Sequence, residues 1–268
     1  MGDEPSSIVA RPMTPLAAAG WSVVFFLLGP VAVGLTEAAR PGAHSDIINE
    51  GACVVLAASL TIFAIVRVHA PEASLRKTLG LTAIGPLQAV LSIVAGLGLQ
   101  PIISTINERI IARWPYSDEE RQLVESLYRA PTFPARLALV VVAVVVVPVT
   151  LELFFRGVLF GALARTTTVR VAAAASAFCF AGSQGDARSL PTAFLVGLAM
   201  ARLRDQTGSV VSPLLATLAF GAVDGIPVLR GQDPAADTVY PVTWVLGGAV
   251  LAVLALAFIG SVRKAREE

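Results

Sequence analysis

Leu137 to Gly157 reads LALVVVAVVVVPVTLELFFRG. From Leu137 to Leu151 nothing is charged; Glu152 and Arg156 then appear four residues apart with apolar neighbours on both sides. A run of about 20 mostly apolar residues crosses a bilayer. A charge at that depth costs at least about 2.5–3.5 kcal/mol, so an intramembrane Glu and Arg form a candidate functional site by default. At i, i+4 on a helix they share one face and neutralise each other. The bland alternative is a self-satisfied ion pair that pins this helix to its neighbours, with Gly157 and Gly161 as a GxxxG pair for close packing.

The rest of the chain has the same character. Of 268 residues, 55% are hydrophobic and only 15% charged, and the mean hydropathy is +0.74, far from an ordinary soluble domain. The reading is an all-α polytopic membrane protein with about eight transmembrane helices. Its runs are Leu16–Leu35, Gly51–Val66, Ile84–Ile106, Leu137–Phe155 continuing to Leu163, Val171–Gly182, Leu190–Leu203, Val210–Val223 and Val242–Ile259. The fifth and seventh are short and are expected to extend into polar flanks that face protein. The first three carry no charge, which makes residues 1–135 a scaffold with a long outer loop and residues 136–268 the core, within one domain.

Orientation follows from Lys and Arg, which concentrate in short cytoplasmic loops. With the N-terminus inside, the inner set holds Arg11, Arg67, Arg76, Lys77, Arg156, Arg165, Arg170, Arg202, Arg204, Arg263, Lys264 and Arg266. The outer set is smaller, and Arg109, Arg113, Arg121, Arg129 and Arg136 in it belong to one long loop or its edges. Both ends are therefore expected inside. The first apolar run lacks a basic segment before it and reads as a retained span. Cys53 and Cys179 lie in apolar runs and read as small buried hydrophobes.

The extended polar region, Ile106 to Pro131, reads as interfacial helix. Ser117 before Asp118, Glu119 and Glu120 suits an N-cap followed by acids in the first turn, with Leu123, Leu127 and Tyr128 on one face. Trp114 and Tyr116 read as anchors at headgroup level. Asp186 and Asp224, just past apolar runs, read as solvated loop acids. Either can instead dip into a cavity, and Asp224 lies one turn beyond Gly221 if that helix continues.

One geometric inference links separate segments. The turn after the charged helix falls near Thr167–Thr168, about fifteen residues after Glu152 and about fifteen before Gln184, so an antiparallel hairpin sets both at similar depth.

PVTLELFFRGVLFGALAR, Pro148 to Arg165, resembles the first motif, EExxxR followed by an aromatic residue, of the CPBP family: the CAAX prenyl proteases and bacteriocin-processing (Abi-type) intramembrane proteases. Phe180 to Gln184 falls where that family has FxxxH. Phe194 to Val223 is similar to its third segment, with an RxxTGS turn and a proline before HxxxN. The resemblance implies a CPBP-type intramembrane protease bundle in a bacterial plasma membrane, and a hydrophobic or prenylated peptide or protein as partner beside membrane lipid, with no nucleic acid.

The departures from the motifs decide what to expect of the chemistry. Aligned this way, the first Glu is Leu151, the family histidines are Gln184 and Thr217, and the Asn is Gly221; Glu152 and Arg156 alone are retained. No shift of frame restores the pattern, because the histidines are His44 and His69 and the asparagines Asn49 and Asn107. The resemblance implies that a Glu pair with His activates water and that His and Asn stabilise the oxyanion. Losing one oxyanion donor costs roughly a hundred- to a thousandfold, so these replacements together are expected to leave little proteolysis. No cofactor or metal is expected either, since one carboxylate without His or thiolate lacks the three protein ligands of a catalytic zinc.

The favoured reading is a member of this family that binds a peptide or lipidated segment with proteolysis lost or much reduced. The alternative is a divergent, active glutamate-dependent endopeptidase using Glu152 with Gln184 and Thr217. A small transporter ranks third, because prolines such as Pro30, Pro86, Pro101, Pro148 and Pro213 show no paired broken helices.

Overall fold

A computed structural model describes residues 11–128, 130–232 and 240–267, with the side chains of 127 and 262–267 excluded. Leu127, Arg129, Arg263, Lys264 and Arg266 of the sequence reading therefore lie outside the described side chains.

The described residues are helical without any strand. We number the helices α1 (Pro15–Ala39), α2 (Ile47–His69), α3 (Leu75–Leu79), α4 (Pro86–Arg113), α5 (Asp118–Tyr128), α6 (Phe133–Leu163), α7 (Val169–Gly182), α8 (Leu190–Thr207), α9 (Val211–Leu229) and α10 (Val242–Glu267). Polar residues next to apolar runs start several of them. Thr14, Asp46, Thr132 and Thr168 each accept a hydrogen bond from a first-turn N–H, of Ala17, Ile48, Ala135 and Val171. Ser117 caps α5 reciprocally: its Oγ accepts from Glu120 N–H, and Glu120 Oε2 accepts from Ser117 N–H.

All eight apolar runs are helical, but six rather than eight helices have the length and hydropathy of a span among the described residues: α1, α2, α4, α6, α9 and Val242–Ser261 of α10. The remaining two fall short for different reasons. α7 has only 14 residues, and α8 ends in Arg202, Arg204, Asp205 and Gln206. Both are held against α6 or its neighbours by protein contacts, as polar or short segments at bilayer depth require. The chain is an integral multi-pass membrane protein. Outward faces of α1, α2 and α10 show exposed Leu27, Phe63 and Val253, the pattern of lipid-facing helices.

Two apolar clusters make the interior. One joins α1, α2, α3, α6 and α7 around Phe25, Phe154 and Phe155; the other joins α4, α8, α9 and α10 around Met200, Leu203 and Ile259. Between α4 and α9 the hydroxyls of Ser92 and Ser212 lie 2.6 Å apart in the buried interface, polar glue where lipid supplies no hydrophobic drive.

The long outer segment is tied down rather than free. Arg188 sits over the rings of Tyr116 and Trp114, at 4.5 and 5.0 Å. It donates to the Trp114 and Pro115 carbonyls and to Glu120 and Asp186. Tyr116 also donates to Asp186, so Tyr116 serves the protein rather than the headgroup layer, and Asp186 is a latch component rather than a solvated acid. Arg188 holds the Glu120 carboxyl below its ordinary value of 4.5, its hydrogen bond being the largest cause and the Ser117 N–H the next. Because the folded value is the lower one, this stabilisation is present above the unfolded value and is lost as pH falls through the folded value. The latch should hold at neutral pH and release only in acid below 4.5. Arg188→Ala should release it at neutral pH, read as faster backbone hydrogen exchange over residues 114–128; unchanged exchange there would refute the latch.

Candidate functional site

α6 carries the charged pair, and its backbone is not a plain α-helix. Residues 141–146 and 153–159 form wide π turns, in which Val147 N–H reaches back to Val142 O and Phe160 N–H to Phe155 O. Pro148 explains the first, since it has no N–H and its ring would meet the carbonyl four residues back; a widened turn relieves both. Such turns occur frequently at functional sites, and here they flank Glu152.

From Phe154 to Phe160 every side chain of α6 is buried, which places this part of the helix inside the protein, whereas Leu137, Val141 and Val145 in its first half are exposed. Arg156 is 0% and Glu152 2% exposed, with Arg156 Nη1 3.3 Å from Glu152 Oε1. Arg156 is thus not a charge of an inner loop, as the orientation count had it, but an interior cation. Its guanidinium lies 4.3 Å from the centre of the Phe180 ring, and none of its nitrogens makes a hydrogen bond to the described residues. Charge and ring stacking hold it. Its space is narrow: a Cβ on Gly197 of α8 would stand 2.8 Å from the Ala177 Cβ and 3.2 Å from Arg156 Nη2. Gly157 and Gly161 do allow close packing, against the backbone of the short α3 at Leu79 and Thr78.

Beside Glu152 is a cavity of about 490 Å³, within the range of sites for small ligands. It lies where α2 begins and α7 ends, alongside the middle of α9 from Thr217 to Asp224. Its polar lining is Glu50, Tyr128, Glu152, Gln184, Thr217 and Asp224. Three of the four nominated residues, Glu152, Gln184 and Thr217, line this one cavity. Arg156 stands behind Glu152 and does not line the cavity.

Some of these polar atoms are already engaged and one buried oxygen is not. Thr217 Oγ1 donates to Glu152 Oε1 at 3.1 Å, so its single proton is already engaged. Gln184 Nε2 donates to the Phe180 carbonyl. Glu152 Oε2 is buried and has no hydrogen-bond partner among the described residues. Leu151, where the family pattern has its first Glu, lines the same cavity and brings no polar atom. Gly221 lines it too, and a Cβ there would come within 3.1 Å of Val144 Cγ1, so an Asn could enter only if Val144 gave way.

Two acids change the expected picture. Glu50 comes from a helix read as uncharged scaffold, because α2 begins at Ile47, four residues before the apolar run. Asp224 proves not to be a loop acid, because α9 continues to Leu229 and Asp224 lines the cavity, accepting from Gln100 Nε2 at 2.7 Å. The histidines are engaged elsewhere. His69 accepts from Trp21 Nε1 and faces the Arg11 carbonyl, while His44 pairs with Glu37. Cys53 and Cys179 are free and buried, as read. Among the described residues no three His, Cys, Asp or Glu side chains gather closely enough to hold a metal ion.

With this geometry in view, the similarity to known proteins can be placed on the fold. The family model of the type II CAAX prenyl endopeptidase Rce1-like proteins matches residues 133–223. The chain carries an Rce1-like domain of the CPBP family. The match begins where α6 begins and ends in α9, and it contains Glu152, Arg156, Gln184 and Thr217. Glu50, Tyr128 and Asp224 lie outside it. Neither a curated protein nor a solved structure matches the chain.

Proposed function

We propose that this protein holds a hydrophobic or prenylated peptide segment in the cavity beside Glu152, with proteolysis lost or much reduced. The observation that carries the reading is the state of the cavity's donors and acids. Leu151 stands where a second motif carboxylate belongs, and the one proton of Thr217 is given to Glu152. A hydrolytic site needs a base in reach of water and donors aimed at a developing oxyanion. With both ends of the chain inside, as the short loops favour, the cavity lies in the outer half of the bundle.

A second reading, a divergent glutamate-dependent endopeptidase, draws on one specific observation. Glu50 and Asp224 bring carboxylates from other helices into the cavity of Glu152. The discriminating assay presents prenylated CaaX-type and unprenylated hydrophobic peptides in liposomes to wild type and Glu152→Ala, with and without chelator. The expected result is peptide retention by wild type with no turnover. Turnover that disappears in Glu152→Ala would establish catalysis and overturn the holding role.

A further inference from the structure

At the end of α7 away from the cavity, a groove of about 290 Å³ runs between α7 and α8. Its floor is apolar, with Ala173, Leu198 and the fully buried Ala201, and its charged lining is Arg170 of α7 with Arg202 and Asp205 of α8. The chain places these charges at a bilayer surface. α6 crosses the membrane and ends at Leu163, and α7 starts at Val169, so Arg170 lies just past the end of a span. α8 returns antiparallel to α7 and brings Arg202 and Asp205 to the same level. Towards the bilayer centre the groove continues into lipid-facing surface. Leu195 and Leu198 stand seven and four residues before Arg202 on its face of α8, and Leu195 is exposed, as is Phe178 on α7.

The bland explanation of the arginines is orientation, since short cytoplasmic loops collect Lys and Arg whether or not anything binds them. Orientation requires charge alone and no groove. Here the Arg170 side chain has no ion pair or hydrogen bond among the described residues. Arg202 is 59% exposed, with Asp205 3.4 Å away. Arg204 behaves differently: it turns inward and donates from Nε to the Arg156 carbonyl, so it serves the fold. The groove therefore offers two cations against one acid beside an apolar floor. An occupant that matches it carries a phosphate and an apolar chain in one molecule.

We infer that this groove seats an anionic phospholipid, its phosphate between Arg170 and Arg202 and an acyl chain along Ala173, Leu198 and Leu195. Basic pockets between membrane helices bind anionic headgroups in this way. A zwitterionic lipid is the weaker ligand, because its ammonium brings a positive charge to the same two arginines. The site is separate from the cavity beside Glu152 and does not depend on what that cavity holds.

The test uses the full chain, stripped of lipid in a neutral detergent, with native mass spectrometry counting dioleoyl phosphatidylglycerol against dioleoyl phosphatidylcholine bound from an equimolar mixture. Wild type should retain phosphatidylglycerol at least about fivefold over phosphatidylcholine. In Arg170→Gln/Arg202→Gln the ratio should fall towards one with thermal melting unchanged. Leu198→Trp keeps both arginines but fills the groove, and should also lower phosphatidylglycerol retention. Arg76→Gln/Lys77→Gln removes the same charge from exposed residues of α3, which packs on α6 near Gly161 and does not line the groove, and should leave the ratio at the wild-type value. Equal retention of the two lipids by wild type would overturn the site, and so would a ratio unchanged in Arg170→Gln/Arg202→Gln or in Leu198→Trp. An equal fall in the α3 variant would reduce the arginines to orientation charges. Displacement of the lipid by millimolar glycerol 3-phosphate would show that a phosphate alone suffices and would overturn the lipid as occupant.

Discussion

Arg156→Met should lower the stability of the protein by about 3–5 kcal/mol, the usual consequence of leaving one member of a buried ion pair without its partner. Glu152 would then be a carboxylate 2% exposed, with Thr217 as its one remaining hydrogen-bond donor. Thermal unfolding in detergent reads the loss directly. Arg156→Lys should rescue it poorly, because a compact, strongly hydrated ammonium replaces the delocalised guanidinium that lies 4.3 Å from the centre of the Phe180 ring. Glu152→Gln/Arg156→Met should recover most of the stability, since replacing a buried pair by neutral groups of similar size is often neutral or favourable. If Arg156→Met melts with wild type, the pair is not what fixes α6 in the bundle.

That variant also separates what the pair does for the fold from what it does for the site. Arg156 does not line the cavity but meets Glu152 and Phe180, which do, so the double variant should be stable and yet lack the Glu152 carboxylate at the cavity wall. A protein that is folded but no longer holds its peptide would place the role of the pair in binding, and a protein that is folded and still holds it would leave the pair a purely structural device.

How much of this could be read in advance differs from residue to residue, and the reasons are physical. The helices were legible because hydropathy over a span's length is a strong local signal. Glu152 and Gln184 could be set at one depth because helical rise and the position of a turn are enough for a hairpin. Glu50 was not legible: its meeting with the cavity depends on how closely α2 approaches α6. That approach turns on Gly51, where a Cβ would come within 2.5 Å of Val142 Cγ1. Nothing local to Glu50 signals a contact set by two helices far apart in the chain. Asp224 was misjudged because a charge reads as the end of an apolar run, whereas Ile226, Val228 and Leu229 carry α9 onward past it. The π turns of α6 were hidden as well, since Pro148 announces a disturbance but not whether a helix breaks, kinks or widens to absorb it.

Phe155→Ala should cost about 3–5 kcal/mol, as for other fully buried aromatic residues cut to Ala, and should also loosen the site. Phe155 is 0% exposed and stands edge-on to Phe154, Phe180 and Phe25, with ring centres 4.7, 5.5 and 6.0 Å away. Phe180 is the link that matters. It covers the Arg156 guanidinium, lines the cavity, and its carbonyl accepts from Gln184. With the Phe155 ring gone, Phe180 has room to tilt, and the cover over the ion pair and one wall of the cavity move with it. Phe25→Ala is the control, because Phe25 packs on Phe154 at 4.8 Å and is not among the residues that line the cavity. Both variants should melt lower, but only Phe155→Ala should weaken peptide binding, measured at a temperature where both remain folded. Equal weakening would mean that binding follows overall stability; weakening in Phe155→Ala alone would make the ring of Phe180 the mechanical connection between the aromatic core and the cavity.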